Sequence, residues 1–485
     1  MYPMTATFTE RVAKQLEQTK PDIKLIQKLI QEHDTSKMRE GVRYYENEND
    51  IMKRQQYAVI DGKKVVDHEK PNNKIPHGWH KLLVDQKTAY LVGNPINFST
   101  DDEDLLHHIN EYLGEKFDDI ANELVKNASN KGKEWLHPYI DEEGNFDFII
   151  TPAEQCIPIY EDKRQTKLQH MIRYYPVVLG DEEVLQVELW SADDVTYYIL
   201  EESKLHFDIT EPVNPAPHFY YVSNQQEKGY GWGRVPFIAF RNNEQEKGDL
   251  HYYKQLIDAY DLKISDNQNS FEEIQELIYI LKGYEGQSLS EFMQNMKYYK
   301  AINVDSDGGV DTLQAEIPMT SIDSHLDRLR ESIFTFGQGV DVQTDKFGNA
   351  PSGIALKFLY SLLDLKSDTL ERKFRVGLQE LMWFLCEYLE MSGDTHGKHD
   401  YKSVDFTFKR STMSNDLENA QIAQYSKGII SDETIVANHP WVDNYELEME
   451  RLEKQKKEQE SMFDLDAFNK PDNEFDEGDE DGATE

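Results

Sequence analysis

Four groups of residues have the types and spacing that site chemistry needs. His77 and His80 stand three apart, a separation that could place two imidazoles on one metal ion. No third Cys, His or carboxylate follows at a matching interval, so they are expected to be a partly exposed pair near a helix start. Asp305, Asp307, Asp311 and Glu316 fall at positions 1, 3, 7 and 12 of a calcium-binding EF-hand loop. Val310 stands where that loop must have glycine, and the flanks read as strands, so no calcium is expected there. Asp394, His396, His399 and Asp400 cluster in a glycine-interrupted stretch and are expected to be solvated. Cys156 and Cys386 lie far apart with no CxxC pair, which argues against a disulfide framework and a zinc ribbon and leaves two buried free thiols. The many carboxylates invite comparison with a metal-dependent nuclease. There is no P-loop, no GxSxG and no His-x-Glu cluster, so the chain is expected to hold no catalytic group, metal or cofactor.

The charge balance narrows the classes further. At 485 residues with 38% hydrophobic content, the chain can build several cores, and no apolar run reaches the ~18 residues that span a bilayer. Its formal charge of −39 repels nucleic acid at long range, and no basic patch stands out to reverse that, so tight binding of DNA or RNA is disfavoured. Residues 464–485 carry ten acids and one lysine and read as a disordered acidic tail, yet most of the negative charge lies elsewhere.

The elements that must position any site are legible from periodicity. Ile322, Leu326, Leu329, Ile333 and Phe336 alternate four and three apart, so they share one side of a helix, and that side must be buried. Thr320 with Asp323 is expected to cap its start, and Gly337 and Gly339 to stop it. Residues 337–353, rich in glycine, read as an exposed loop. Beyond it Ile354, Leu359, Leu363, Leu370, Phe374, Leu378, Leu381, Leu385 and Leu389 mark a helix of about 40 residues, roughly 60 Å. A strut that long implies an elongated subunit that packs against copies of itself. A second strut runs from a cap at Asp249 through Tyr253, Leu256 or Ile257, Tyr260, Ile264, Phe271 and Ile274 to Ile278.

Earlier in the chain, residues 1–40 read as an arm or peripheral helix with an apolar cluster at Ile23, Ile26, Leu29 and Ile30, and residues 80–94 as an amphipathic helix closed by Gly93 and Pro95. Residues 101–135 look helical, after which the period changes to two: 147–150, 168–175, 184–190, 195–200 and 236–240 read as strands. Residues 301–304 and 313–316 look like two more strands around a turn at 305–311. Val404–Phe408 is a further strand, and 416–428, 431–438 and 443–460 are helices. The fold class is therefore α+β.

In this order the pieces resemble the portal proteins of tailed double-stranded-DNA bacteriophages, of the long-tailed type that infects Gram-positive hosts. The resemblance rests on Tyr44-Tyr45 with Asp50-Ile51, on Asn72-Asn73-Lys74-Ile75, and on Val84-Asp85-Gln86-Lys87 with Tyr90 to Pro95. It continues through Val235 to Phe240 before Asn242-Asn243, Leu256 to Tyr260, and Gly348 to Leu356. It implies an elongated multi-domain subunit in a twelve-fold ring with a central DNA channel. The parts implied are an N-terminal arm (1–40), a wing (41–248), stem helices (249–281 and 319–336), a clip (282–318), a tunnel loop (337–353), a long wing helix (354–393), a crown (394–460) and the tail (461–485). Gln338, Gly339, Asp345, Lys346, Phe347, Gly348 and Asn349 would line the channel; Ile322, Leu326, Leu329 and Ile333 would pack the stem; and Asp305, Asp307 and Asp311 would lie on the clip's docking surface. The partners implied are the terminase large subunit, the head-tail adaptor, the major capsid and scaffolding proteins, and double-stranded DNA in transit, with no membrane. The place implied is the portal vertex of the virion, reached from the host cytoplasm. A distributed negative charge then suits a wall along which DNA must slide. A scaffolding protein without a channel is the competing structural reading, and the strands of the clip argue against it.

Overall fold

Asp22 is a helix cap: its carboxylate accepts from Lys24 N at 3.1 Å and starts α1 (Ile23–Glu32). The computed structural model describes residues 22–68, 70–161, 167–179, 182–202, 204–223, 226–274, 278–282, 288, 309–313, 318–341, 353–393, 398–411, 416–437, 439, 442, 448–449 and 451–457. Contacts divide the chain into two compact units, Met1–Thr344 with Leu359–Ser411, and Asp345–Phe358 with Thr412–Glu485.

In the first unit α1 is followed by α2 (Ser36–Tyr45), a hairpin of β1 (Tyr57–Ile60) and β2 (Lys63–Val66), and α3 (Trp79–Val92), which Gly93 closes as expected. Then come β3 (Ile96–Ser99), α4 (Glu103–Tyr112), α5 (Gly114–Lys131), β4 (Lys133–Ile140) and β5 (Phe146–Thr151). Residues 133–135, expected to be helical, are strand instead. Gly132 ends α5 in a left-handed conformation (φ 96°) with no room for a Cβ beside the backbone of Glu246, and β4 starts at once.

Strands β6 (Cys156–Tyr160), β7 (Leu168–Leu179), β8 (Glu182–Trp190), β9 (Asp194–Glu201) and β10 (Lys204–Phe207) form an antiparallel meander in the order β10-β9-β8-β7-β6, with β11 (Ala216–Pro217) also paired to β9. Ile26 and Leu29 of α1 pack on it with Ile157, Ile172, Val187 and Leu205, so this helix is a cover over a sheet and not a free arm. Two further strands, β12 (Phe219–Ser223) and β13 (Gln226–Tyr230), make a hairpin, and β14 (Ile238–Arg241) joins β4 and β5 in a three-stranded sheet.

A 3-10 turn at Asp249–Tyr252 leads into α6 (Lys254–Ile274), which ends before Ile278; that residue opens β15 (Ile278–Lys282) rather than extending the strut. β15 pairs antiparallel with β16 (Gly309–Leu313), placing Asp311 opposite Ile280 within a strand instead of in the expected turn. Residues 301–304, 314–316, Asp305 and Asp307 lie outside the described residues.

Helix α7 (Met319–Gly337) begins behind Pro318, and no side chain caps it, so Thr320 lies inside the first turn. Helix α8 (Gly353–Ser392) is 40 residues long, as its stripe requires, and Leu370, Phe374, Leu378, Leu381, Leu385 and Leu389 are all buried in the main core with α4, α5 and the three-stranded sheet. Phe240 lies against it at Gly377, where a Cβ would come 2.8 Å from the ring. Last, β17 (Asp405–Phe408) returns to pair with β3. The second unit contains α9 (Asp416–Ser426), α10 (Asp432–Ala437), an isolated bridge between Lys427 and Ile430, and helical residues at 451–457.

Candidate functional site

The motif fragments that are scattered in sequence meet around α6. Tyr44, fully buried, donates its hydroxyl to Asp258, and Asp50 pairs with Lys254 at 2.6 Å. The backbone of Asn73 donates to Asn269 Oδ1 at 2.7 Å, and that of Ile75 to Ser265 Oγ at 3.1 Å. His77 and His80 join the same set without sharing anything. His77 Nδ1 is 2.8 Å from buried Asp261, whereas His80 is itself buried and faces the Tyr253 hydroxyl at 2.7 Å. The expectation of a partly exposed pair therefore fails for His80, whose imidazole burial pushes down to about 4. His399, from the other suspected cluster, pairs with Asp102 at 2.6 Å; Asp394 and His396 lie outside the described residues.

The end of α7 carries a second polar network. Gln338 has a left-handed backbone (φ 53°), which turns the chain so that Gly339 N donates to Phe334 O at 2.9 Å. A larger residue at either neighbouring glycine would have to displace the buried Leu83 side chain: a Cβ on Gly337 would lie 2.5 Å from Leu83 Cδ1, and one on Gly339 2.2 Å from Leu83 Cδ2. The Gln86 carboxamide then clamps Val340 at both ends, donating to its carbonyl at 2.8 Å and accepting from its N–H at 3.0 Å. Val340 is buried, and Asp341 pairs with Arg330. Residues 337–341 are thus packed against α3, contrary to an exposed loop from 337 onward. Gln338 and Gly339 form its anchored root, while Asp345, Lys346, Phe347, Gly348 and Asn349 lie outside the described residues.

Beneath this turn Lys366 of α8 donates to Gly337 O at 3.0 Å and pairs with Asp249 at 2.8 Å. Asp249 also holds Lys87 at 3.2 Å and accepts from Asn242 at 2.8 Å, while Lys87 donates to Asn242. Burial alone would raise the Asp249 carboxyl, but Lys366 and Lys87 outweigh it and hold it far below the carboxylate range. Burial brings the Lys87 ammonium down to about 8 against the pull of Asp249. Asp249 is therefore an interior ion-pair partner and not the helix cap expected of it.

These groups line a cleft of about 520 Å³ with Gln338, Thr335 and Thr369, rimmed by the exposed side chains of Tyr252, Phe336 and Leu365. Lys87, which apolar periodicity does not single out, lies four residues from both Leu83 and Leu91, each wholly buried, so its place on an inward face was legible. Lys366 was legible in the same way, since it fills the gap in the α8 stripe between Leu363 and Leu370, three and four residues away and both buried. Of the stem residues, Ile322 and Ile333 are buried and Leu326 and Leu329 half-buried, but Phe336 is 62% exposed; Phe334 takes the inward position. Among the described residues, no three His, Cys, Asp or Glu side chains converge to hold a metal ion, and no helix is long and apolar enough to cross a membrane.

A mixed helix-and-sheet subunit with a long helix in its core and a clamped turn at its polar centre is matched by one family profile, "Phage portal protein, SPP1 Gp6-like", over residues 26–462. The chain belongs to the phage portal proteins, which are structural proteins and not enzymes. Its relatives lie in phages of Gram-positive hosts. It is 42% identical to the portal protein of Bacillus phage SPP1 over 466 residues, 94% of this chain and 92% of that protein. It is 35% identical to the portal protein of Clostridium phage phiCD119, across 88% of this chain and 94% of that one. A chain from the neck of a native gene transfer agent particle superimposes with a TM-score of 0.41 at 10% identity, over 75% of this chain and 89% of that chain, too loosely to argue from.

Proposed function

We propose that this portal protein closes into a twelve-fold ring at one capsid vertex, and that double-stranded DNA enters and leaves the head through the central channel of that ring. One observation carries the assembly: the three long helices leave large apolar side chains in water. Leu262 and Phe271 on α6, Phe336 on α7, and Leu362, Leu365 and Val376 on α8 are 41–65% exposed, although the opposite faces of these helices are buried. Such faces need a partner, and a heterologous contact with the right rotation supplies one by closing a ring. The partners follow from this role: the terminase large subunit and then the head-tail adaptor at the clip, with the major capsid and scaffolding proteins around the rim.

The residues after the Gln86 clamp, Asp345 to Asn349 among them, face the DNA in this reading, and the anchored root at 337–341 gives them a firm base. Lys346 contributes one weak phosphate contact per subunit within a repelling tube, since a continuous basic belt would trap the duplex. The clip acids Asp305, Asp307 and Asp311 face the motor. Native mass spectrometry and particle images of the purified chain test the ring: a closed ring with a hole is expected, and a monomer or a solid aggregate at assembly concentrations overturns it. Crosslinking from a Lys346→Cys variant to DNA in filled heads tests the loop, and efficient crosslinking from Ser461→Cys with none from position 346 would remove it from the channel. Deleting residues 305–311 should leave rings intact and stop packaging; DNA-filled heads from that variant would contradict the docking role.

A further inference from the structure

Residues 52–74 run against the charge of their own chain. They hold six Lys or Arg against three Asp or Glu, a net +3, which leaves the remainder at −42 when subtracted from −39. At their centre is the hairpin of β1 and β2, joined by Asp61-Gly62, both with positive φ (51° and 75°), the arrangement a tight two-residue hairpin turn requires. The root of this hairpin is held firmly: Arg54 pairs with Asp266, and Asn73 is bonded to Asn269, both acceptors on α6.

The tip is not covered. Val59 is 75% exposed, and Tyr57 and Val65 are also exposed although they belong to opposite faces of the ribbon. Lys64 lies over the Tyr57 ring at 4.1 Å, and neither Lys63 nor Lys64 forms an ion pair among the described residues. A two-stranded ribbon is marginal alone in water, so one that is formed, tightly turned and apolar on both faces calls for a surface to lie on.

We propose that the β1–β2 hairpin is an assembly arm that docks on the α6–α7 helix pair of an adjacent copy of this chain. That pair offers the matching chemistry: Leu262, Phe271 and Met319 expose apolar surface, and Asp323 and Asp327, one turn apart on α7, are exposed carboxylates. In a ring each copy extends one arm and receives one, which is the form a heterologous interface takes. Phosphate is the other partner a cationic ribbon could meet, but contact with a DNA backbone gives no role to exposed valines on both faces, whereas a helix pair carrying both apolar and acidic groups uses all of them. The proposal rests on the ring described under Proposed function.

The test uses the full chain, with Val59 replaced by a photoreactive benzoylphenylalanine and, separately, with K63E and K64E combined. Irradiation of rings should join two subunits through a peptide from 254–274 or 319–337 of the second copy. The double charge reversal should leave the circular dichroism of the subunit unchanged while raising the protein concentration at which rings dissociate by about tenfold, and it should abolish the weakening that high salt causes in the wild type. A Val59→Asp variant gives a second reading through the apolar part of the contact. If the unaltered chain makes no rings, the assembly reading and the arm fail together. If rings form and K63E/K64E and Val59→Asp rings are as stable as wild type, or position 59 crosslinks only to added duplex DNA or to some other part of the neighbour, the arm alone is wrong.

Discussion

Two buried imidazoles give the subunit a defined response to acid. His80 and His137 are both pushed down to about 4 by burial; His80 is set against Tyr253, and His137 Nδ1 lies 2.6 Å from the Pro236 carbonyl. Because the unfolded chain takes up these protons first, each contributes stability that is complete above pH ~6.5 and lost as pH falls toward 4, up to about 3 kcal/mol apiece. Buried Glu134 and half-buried Glu380, both lifted to about 7 by loss of hydration, act with the opposite sign as pH rises from 4.5 to 7, so the informative quantity is a mutational difference. In urea titrations of the unassembled subunit, His137→Gln should lose less stability than wild type between pH 6.5 and 4. Parallel curves would mean that this imidazole is not titrating. At this scale the sequence showed residue types and hid pairings: the histidine spacing was visible, but Asp261 and Tyr253, which separate the two rings, lie more than 170 residues away.

At the scale of elements, apolar periodicity located the helices, and turn chemistry located their ends less well. The stripe of α8 was readable because six of its apolar positions face one core. The inward face of α7 was misplaced at its last turn because the sequence offers Phe334 and Phe336 two residues apart, and only the packing of Phe334 with Trp79 and Leu83 selects between them. The exposed-loop reading of 337–341 failed for a related reason: glycine marks close approach as well as freedom, and here Leu83 occupies the space. Gly339→Ala should therefore cost about 1–3 kcal/mol in chemical denaturation, with partial rescue by Leu83→Ala in a double-mutant cycle. An additive cycle would separate the two sites. Ile333→Asp, which on the sequence alone tests ring packing, should instead unfold the subunit, since Ile333 is wholly buried within it beside Tyr44 and Tyr253.

For the whole molecule, the informative substitutions are those that change nothing inside the subunit. Leu365→Asp alters a side chain that is 60% exposed, so thermal unfolding of the monomer should barely move. Ring formation should be lost, because a carboxylate would be buried at each repeated contact at a cost of several kcal/mol. Light scattering that finds full-size rings in this variant would place Leu365 outside the interface. The overall charge was the most legible property in the sequence. The cationic hairpin within it was not, because its Lys pair is diluted by flanking acids until the Asp61-Gly62 turn brings the strands together.

The two cysteines have a practical consequence. Cys156 and Cys386 are both buried, and burial raises both thiols, Cys386 to about 12, so neither offers a thiolate to reagents at neutral pH. The folded chain should consume no Ellman's reagent on the time scale of minutes and two equivalents once denatured. Any cysteine introduced on the surface would then be the sole labelling position per subunit, and a fluorophore pair placed that way around a ring would report the spacing between neighbours without a cysteine-free background having to be made first.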